Sequence, residues 1–185
     1  MVKYSILFGG IIMSFKEISI KEFVVNPITM FSDDWMLLTA GDDNNGFNTM
    51  TVSWGHIGAI WAGNGGSPTV VAYSRPQRYT KDFLDSNEFF TLSVLGPEHR
   101  EALTYLGTVS GRDEDKVSKA GLTPVFDQDT TYFGESSMVF VCRKLYQSRI
   151  KEEGFVDKSI IEKHYPEKDF HEMYVGEILS IMVRE

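Results

Sequence analysis

Cysteine is almost absent from the sequence, since Cys142 is the only one among 185 residues. A single thiol cannot form an internal disulfide, and no cysteine and histidine spacing typical of a zinc site accompanies it. We therefore expect no metal site and a reducing, cytoplasmic location. Cys142 lies in the apolar run 138–142, which favours a small buried hydrophobic residue over a nucleophile.

Positive charge is also scarce, because 18 Lys and Arg residues face 26 Asp and Glu residues and the formal net charge is -8. No basic cluster reverses this balance locally, so we expect neither nucleic acid nor a membrane as a partner. The acidic field also repels a phosphorylated ligand at long range. Any anion site must therefore be built from local donors, such as isolated Arg and Thr residues near glycines.

The apolar stretch at residues 1–13 is too short to span a membrane and lacks a clear small-residue cleavage site. We interpret residues 1–13 as an extension or a mis-assigned start, because Met13 opens a more usual beginning for a soluble protein. A weak signal peptide is the alternative interpretation. Residues 14–185 then have the size of one domain.

Three well-known ligand and catalytic motifs are missing: GxGxxG, GxxxxGK[ST] and GxSxG. The first absence removes the fingerprint of a Rossmann dinucleotide site. Internal repeats and low-complexity tracts are missing as well. The chemistry of the chain must therefore be sought outside these motifs.

Aromatic residues, in contrast, make up 13% of the chain, and they favour strands and flat ligand pockets. Because strands do not alternate regularly with long crossover helices, we predict a mainly β barrel of about six mostly antiparallel strands. A few flanking helices accompany them. The predicted strands are 35–40, 47–54, 69–74, 89–95, 137–150 and 173–183, and the predicted helices are 79–86, 97–106, 113–120 and 158–164.

One predicted strand carries a row of short hydroxyl groups, because alternation places Thr49, Thr51 and Ser53 on the same face. Such donors suit the polar edge of a flat redox ring, although a hydroxyl-rich strand face is more often simply solvated. Further on, Arg78 and Thr80 stand beside a predicted helix start, which suits a phosphate group. Taken alone, the segment Arg75-Pro-Gln-Arg78 is more often a charged loop.

In combination and order, these segments make the chain resemble the flavin reductase-like, FMN-binding split-barrel family, in particular its flavoredoxin-like branch. The resemblance covers roughly residues 34–183 and implies a split β-barrel with Greek-key connections, with 14–185 as a single FMN-binding domain. It rests on Asn48-Thr-Met-Thr-Val-Ser-Trp-Gly55, on Arg75-Pro-Gln-Arg-Tyr-Thr80 followed by Phe83-Leu84, on Phe89-Phe-Thr-Leu-Ser93, on Gly111-Arg-Asp-Glu-Asp-Lys116, and on His171 with Gly176-Glu-Ile178.

The resemblance assigns roles to particular residues. It implies that His171, otherwise a surface or hydrogen-bonded core histidine, lies near the flavin or the nicotinamide donor as the candidate catalytic residue. It implies a homodimer with FMN near the subunit interface. The residues implied to bind the cofactor are Asn48, Thr49, Met50, Thr51, Ser53 and Trp54 at the flavin ring, Arg75, Arg78, Tyr79 and Thr80 at the phosphate and ribityl chain, and Lys116.

The function implied is an FMN-binding oxidoreductase that takes electrons from NADH or NADPH and passes them to a small-molecule or protein acceptor. A non-catalytic FMN-binding electron carrier is an open alternative. A related split barrel that binds another cofactor, such as a pyridoxal-phosphate oxidase-like or haem-handling protein, is another. The last alternative is a small-ligand β-barrel without a redox role, and under this alternative the purified protein is colourless.

Overall fold

The computed structural model describes residues 3–8, 11–61, 65–127 and 129–185, and of residues 3–13 it describes only the backbone. Within these residues the chain is rich in strands and forms short helices between them. The strands are β1 (Lys3–Phe8), β2 (Ile11–Ile18), β3 (Met36–Asp42), β4 (Gly46–Val52), β5 (Gly55–Ile60), β6 (Ser67–Ser74), β7 (Phe89–Leu95), β8 (Pro124–Asp127), β9 (Thr130–Phe133), β10 (Ser136–Arg149) and β11 (Glu172–Arg184).

The helices are α1 (Pro27–Thr29), which continues into a π-helical turn at Met30–Asp34, α2 (Thr80–Ser86), α3 (Arg100–Thr108), α4 (Lys116–Lys119) and α5 (Ser159–His164). Single 3-10 turns lie at Pro97–His99 and Glu152–Gly154. The helix expected over 113–120 is shorter in the structure, because the side chain of Asp115 caps it by accepting from the backbone N–H of Ser118. None of the helices in the described parts of the chain is both long and apolar enough to cross a membrane.

The main sheet has nine strands, and β11 is where it divides. On one side β11 pairs with β10, while its other side pairs with β6 through residues 172–177 and with β2 through residues 181–184. The sheet runs β1-β2-β11-β10-β7-β3-β4, with β6 and β5 branching from β11, and its pairings are antiparallel. It does not close, since β4 and β5 form no ladder with each other. This confirms the expected mainly β split-barrel fold.

The sheet is buried on both faces at β3, every residue of which is buried. Leu38 and its neighbours on one face pack into the largest apolar cluster with Leu92, Phe140 and Tyr174. Leu37, on the other face, joins a second cluster beneath α3. Full burial of one such side chain is worth about 1.5–3 kcal/mol, so β3 anchors the strands that carry the site. Cys142 is fully buried, as expected, and burial raises the pKa of its thiol.

Six of the eleven strands in the described residues lie where the sequence predicts them, and the other five were not predicted. β5 is one of those missed, because its two glycines and largely exposed residues hide the strand pattern, and its pairing with β6 is what orders it. At the start of the chain, β1 and β2 form a hairpin, and β2 pairs with β11 through residues 15–18. The interpretation of residues 1–13 as an extension or mis-assigned start stays a prediction.

Candidate functional site

A cleft runs along β4 and consists of adjoining cavities that share residues. The central cavity has a volume of about 230 Å³ and is lined by residues 50–54 with Tyr73, Arg75, Arg78 and His171. The basic cavity, about 290 Å³, continues from it at Met50, Arg75 and Arg78 and extends to Lys116. The apolar cavity, about 600 Å³, begins on the other side at Ser53, Trp54 and Tyr73. The shared residues place the three cavities side by side, with cationic side chains at one end and apolar side chains at the other.

The hydroxyl row of β4 is divided between the interior and the cleft. Thr49 is fully buried, and its hydroxyl lies 2.8 Å from that of Thr39, its cross-strand partner on β3. Thr51 lines the central cavity but donates its hydroxyl hydrogen to the backbone carbonyl of Leu103 on α3. Ser53 is exposed at the cleft. The row is therefore not the uniform ligand-facing surface expected from strand alternation, and the side chain of Thr49 lines none of the three cavities.

The two arginines after β6 stand in different electrostatic situations. The guanidinium of Arg75 forms an ion pair with Asp169 and donates to the carbonyl of His164 at 2.9 Å. The side chain of Arg78 is half-buried and makes no hydrogen bond or ion pair with any residue that the structure describes. Burial and the adjacent charge of Arg75 both lower the pKa of Arg78. Of these two arginines, Arg78 is therefore the one whose charge has no partner among the described residues.

Lys116 lies at the far end of the basic cavity and is almost completely buried. Its ammonium donates to the backbone carbonyls of Leu106 and Val109, each at 3.0 Å. Because these carbonyls close the end of α3, the lysine fixes the loop that follows this helix. Burial, with Arg78 as a second cause, lowers the pKa of the Lys116 ammonium to about 8.

The wall of the basic cavity depends on a close packing of three elements. The side-chain amide of Asn48 on β4 donates to the hydroxyl of Thr80 at 2.7 Å. Its carbonyl oxygen lies against the backbone of Gly111, where an added Cβ would come within 2.2 Å of it. Tyr79 completes this wall, with the guanidinium of Arg112 stacked 4.4 Å from its ring centre.

His171 precedes β11 and is held between aromatic rings. Trp54 lies with its ring centre 4.9 Å away, and the hydroxyl of Tyr165 lies 2.9 Å from Nδ1. Burial is the main cause that lowers the pKa of His171 to about 4, and the charges of Arg75 and Arg78 act in the same direction. The imidazole is therefore neutral at physiological pH. Trp54 itself is 42% exposed at the mouth of the cleft.

The structure brings most of the expected site residues to one cleft. Among the described residues, no group of three or more His, Cys, Asp or Glu side chains could hold a metal ion. Tyr165 lines the apolar cavity of the cleft but was not selected from the sequence, since an isolated tyrosine carries no motif. The expected residues that line the central or the basic cavity are Asn48, Met50, Thr51, Ser53, Trp54, Arg75, Arg78, Tyr79, Thr80, Lys116 and His171.

Solved structures with the same fold come from several flavin proteins. Flavoredoxin of Desulfovibrio vulgaris (Miyazaki F) is 23% identical, with a TM-score of 0.60, over 80% of this chain and 68% of that one. An FMN-binding protein from Thermus thermophilus is 15% identical, with a TM-score of 0.58, over 86% and 78%. The styrene monooxygenase flavin reductase from Pseudomonas putida S12 is 14% identical, with a TM-score of 0.55, over 83% and 81%.

Sequence comparison gives the family directly. A search of curated protein sequences finds no match to the chain. A family model, by contrast, matches residues 29–185, which includes every strand from β3 onward and all of the expected site residues. The chain therefore belongs to the flavin reductase-like domain family.

Proposed function

We propose that the protein binds FMN in the cleft and transfers electrons through it, as an NAD(P)H-dependent flavin reductase or a flavoredoxin-like protein. The observation that carries this proposal is Arg78, a half-buried guanidinium without a partner among the described residues. A buried charge is costly unless it is paired, so such a group favours an anionic ligand. The phosphate of FMN has the negative charge and the pair of neighbouring oxygen atoms that the planar guanidinium of arginine binds well.

The cleft fits this cofactor in its chemistry and in its size. The basic and central cavities, about 290 and 230 Å³, together fall in the range of ~300–1,000 Å³ typical of ligand pockets. In this proposal Arg78, Thr80 and Lys116 hold the phosphate end. Met50, Ser53 and Trp54 supply the apolar wall and polar edge for the ring. The charge of Arg75 is already neutralised by Asp169, and its side chain lies between the phosphate end and the ring end of the proposed site.

When bound, FMN supplies the redox chemistry, which needs no protein nucleophile. The chain's own residues bind, orient and exclude water. The neutral imidazole of His171 lies at the central cavity, where it can make a hydrogen bond to a ligand without adding charge. The apolar cavity, next to Trp54 and Tyr73, has room for a second reactant such as the nicotinamide donor or the electron acceptor.

The names of the structural relatives support both forms of the proposal, since they include a flavoredoxin, an FMN-binding protein and a flavin reductase. The experiment that tests it is release of the cofactor by heat and its identification by mass. FMN is the expected product, and recovery of FAD alone, or failure to reconstitute with FMN, would reject the proposal. Anaerobic addition of NADH or NADPH then separates a reductase, whose yellow colour bleaches, from a carrier, whose colour persists.

We also propose a cytoplasmic homodimer in which the second subunit covers the flavin. Trp54 and Trp61 are 42% and 58% exposed, so they do not fill the core of their own chain. Exposed aromatic residues of this kind are enriched at protein interfaces. Light scattering on the FMN-loaded protein tests the assembly, and a monomer with full FMN occupancy would disprove it while leaving the flavin site intact.

A further inference from the structure

Tyr165 is a residue of the cleft whose environment is unusually well defined. It lies just after α5, is 3% exposed, and packs against Phe155 and Phe170 with ring centres 5.9 and 4.9 Å away. Its backbone N–H donates to the carbonyl of Ile161 at 2.8 Å. The guanidinium of Arg75 lies 5.3 Å from the centre of its ring. These contacts fix the position of its hydroxyl group.

The hydroxyl of Tyr165 has a single hydrogen-bond partner among the described residues, the Nδ1 atom of His171 at 2.9 Å. Burial raises the pKa of this phenol, so it keeps its proton. If Nδ1 carried the ring proton, the buried hydroxyl hydrogen of Tyr165 would have no acceptor among the described residues, so the arrangement that satisfies this hydroxyl has Nδ1 as the acceptor. The imidazole is neutral at physiological pH, as described above, and its one ring proton must then reside on Nε2.

Because Nδ1 is paired with Tyr165, Nε2 is the ring nitrogen without a hydrogen-bond partner among the described residues. His171 itself lines the central cavity. Trp54 and Tyr73 pack against the ring, with centres 4.9 and 6.3 Å away, and hold its orientation. A ligand atom that contacts Nε2 of His171 in this cavity therefore faces an N–H donor and not a lone pair.

We infer that Tyr165 is a positioning residue that locks His171 in its Nε2–H tautomer, so that His171 donates a hydrogen bond to an acceptor atom of the ligand in the central cavity. His171 then acts as a fixed, uncharged donor and does not serve as a general base. The identity of that acceptor as a carbonyl or ring nitrogen of the flavin rests on the proposed function, whereas the tautomer itself is a property of the ligand-free chain.

The tautomer can be read directly by long-range ¹H–¹⁵N correlation spectra of histidine-labelled protein without flavin. We expect His171, assigned by the signals lost in His171→Gln, to show a pyridine-like Nδ1 and a pyrrole-like Nε2. In Tyr165→Phe both nitrogens should move toward the averaged shifts of an exchanging mixture. Tyr105→Phe is the matched control, since it removes a phenol that contacts Glu114 instead.

A proton on Nδ1 in the wild-type protein would overturn the inference without any variant, even if Tyr165→Phe failed to fold. Unchanged ring shifts in a folded Tyr165→Phe would overturn it as well. In a flavin titration we expect Tyr165→Phe to lose about threefold to tenfold in FMN affinity and Tyr105→Phe to lose none. Equal affinities of Tyr165→Phe and wild type would overturn the donor role. Failure of the wild type to bind FMN would instead reject the proposed function. The tautomer of His171 would still be tested by the spectra of the flavin-free protein.

Discussion

Removal of the Arg78 side chain should weaken binding of FMN far more than removal of the Arg112 side chain. Arg78 is half-buried, lies where the central and basic cavities meet, and has no anionic partner among the described residues. Arg112 is exposed and already paired, since its guanidinium lies 2.6 Å from a carboxylate oxygen of Asp82 and stacks on Tyr79. The two substitutions therefore delete the same charge from contrasting environments.

A charge-assisted hydrogen bond contributes roughly 1.5–3 kcal/mol, so Arg78→Ala should raise the Kd for FMN by about 10- to 150-fold. The folded protein without ligand should not suffer, because the pKa of Arg78 is lowered by burial and by Arg75, which marks its charge as unfavourable there. Arg112→Ala loses an exposed ion pair, worth about 0–1 kcal/mol of folding stability, and should leave the Kd for FMN almost unchanged.

The assay is a fluorescence titration of both variants with FMN and with riboflavin, which lacks the phosphate. Arg78→Ala should lose affinity for FMN and keep that for riboflavin, because only the phosphate is proposed to contact the guanidinium. Equal losses for the two flavins would show that Arg78 acts through the shape of the cleft. Equal losses in Arg78→Ala and Arg112→Ala would refute the assignment of the phosphate end altogether.

Three further predictions concern the same cleft. Because the pKa of Lys116 is about 8, its charge is present below that pH and lost above it. FMN affinity should therefore fall as pH rises above 8, and Lys116→Met should flatten this dependence in the same titration. Gly111→Ala places a methyl group 2.2 Å from the side-chain oxygen of Asn48, so Asn48 must shift in the wall of the basic cavity and FMN affinity should drop. Gly154→Ala, where an added Cβ has no neighbour within 4 Å, is the control and should bind normally. The pKa of His171 is about 4 in the folded protein against 6.5 ordinarily, so between these values only the unfolded chain takes up this proton. Stability should fall as pH drops through this window, and urea midpoints should show a smaller loss in His171→Gln; identical pH profiles would contradict the buried neutral ring.

Much of the local structure could be predicted from the sequence, because strand and turn patterns depend on neighbouring residues. The hairpin of β3 and β4 follows from apolar runs around the turn at 41–46, and α2 begins within one residue of its expected start. The strands that were missed lack such patterns. β8 and β9, for example, have four residues each and owe their order to mutual pairing.

The order of the three chemical segments was also sufficient to identify the family. Motifs such as residues 48–55 and 75–80 combine residue types that recur together because a phosphorylated ring needs a cation, hydroxyls and an apolar wall. The match of residues 29–185 to the flavin reductase-like domain confirms this recognition. What such motifs cannot specify is the state of each side chain within the folded site.

The tertiary structure alone decided which residues remain free to meet a ligand. The side chain of Thr49 is buried away from the cleft, because the strand register sets it opposite Thr39. Arg75 is neutralised by Asp169, 94 positions further along the chain, whereas Arg78 has no charged partner in the part of the chain that the structure describes. The sequence by itself determined which chemical groups the chain carries and which strands hold them. Their burial, pairing and protonation depend on contacts between distant segments, and those contacts exist only once the sheet has formed.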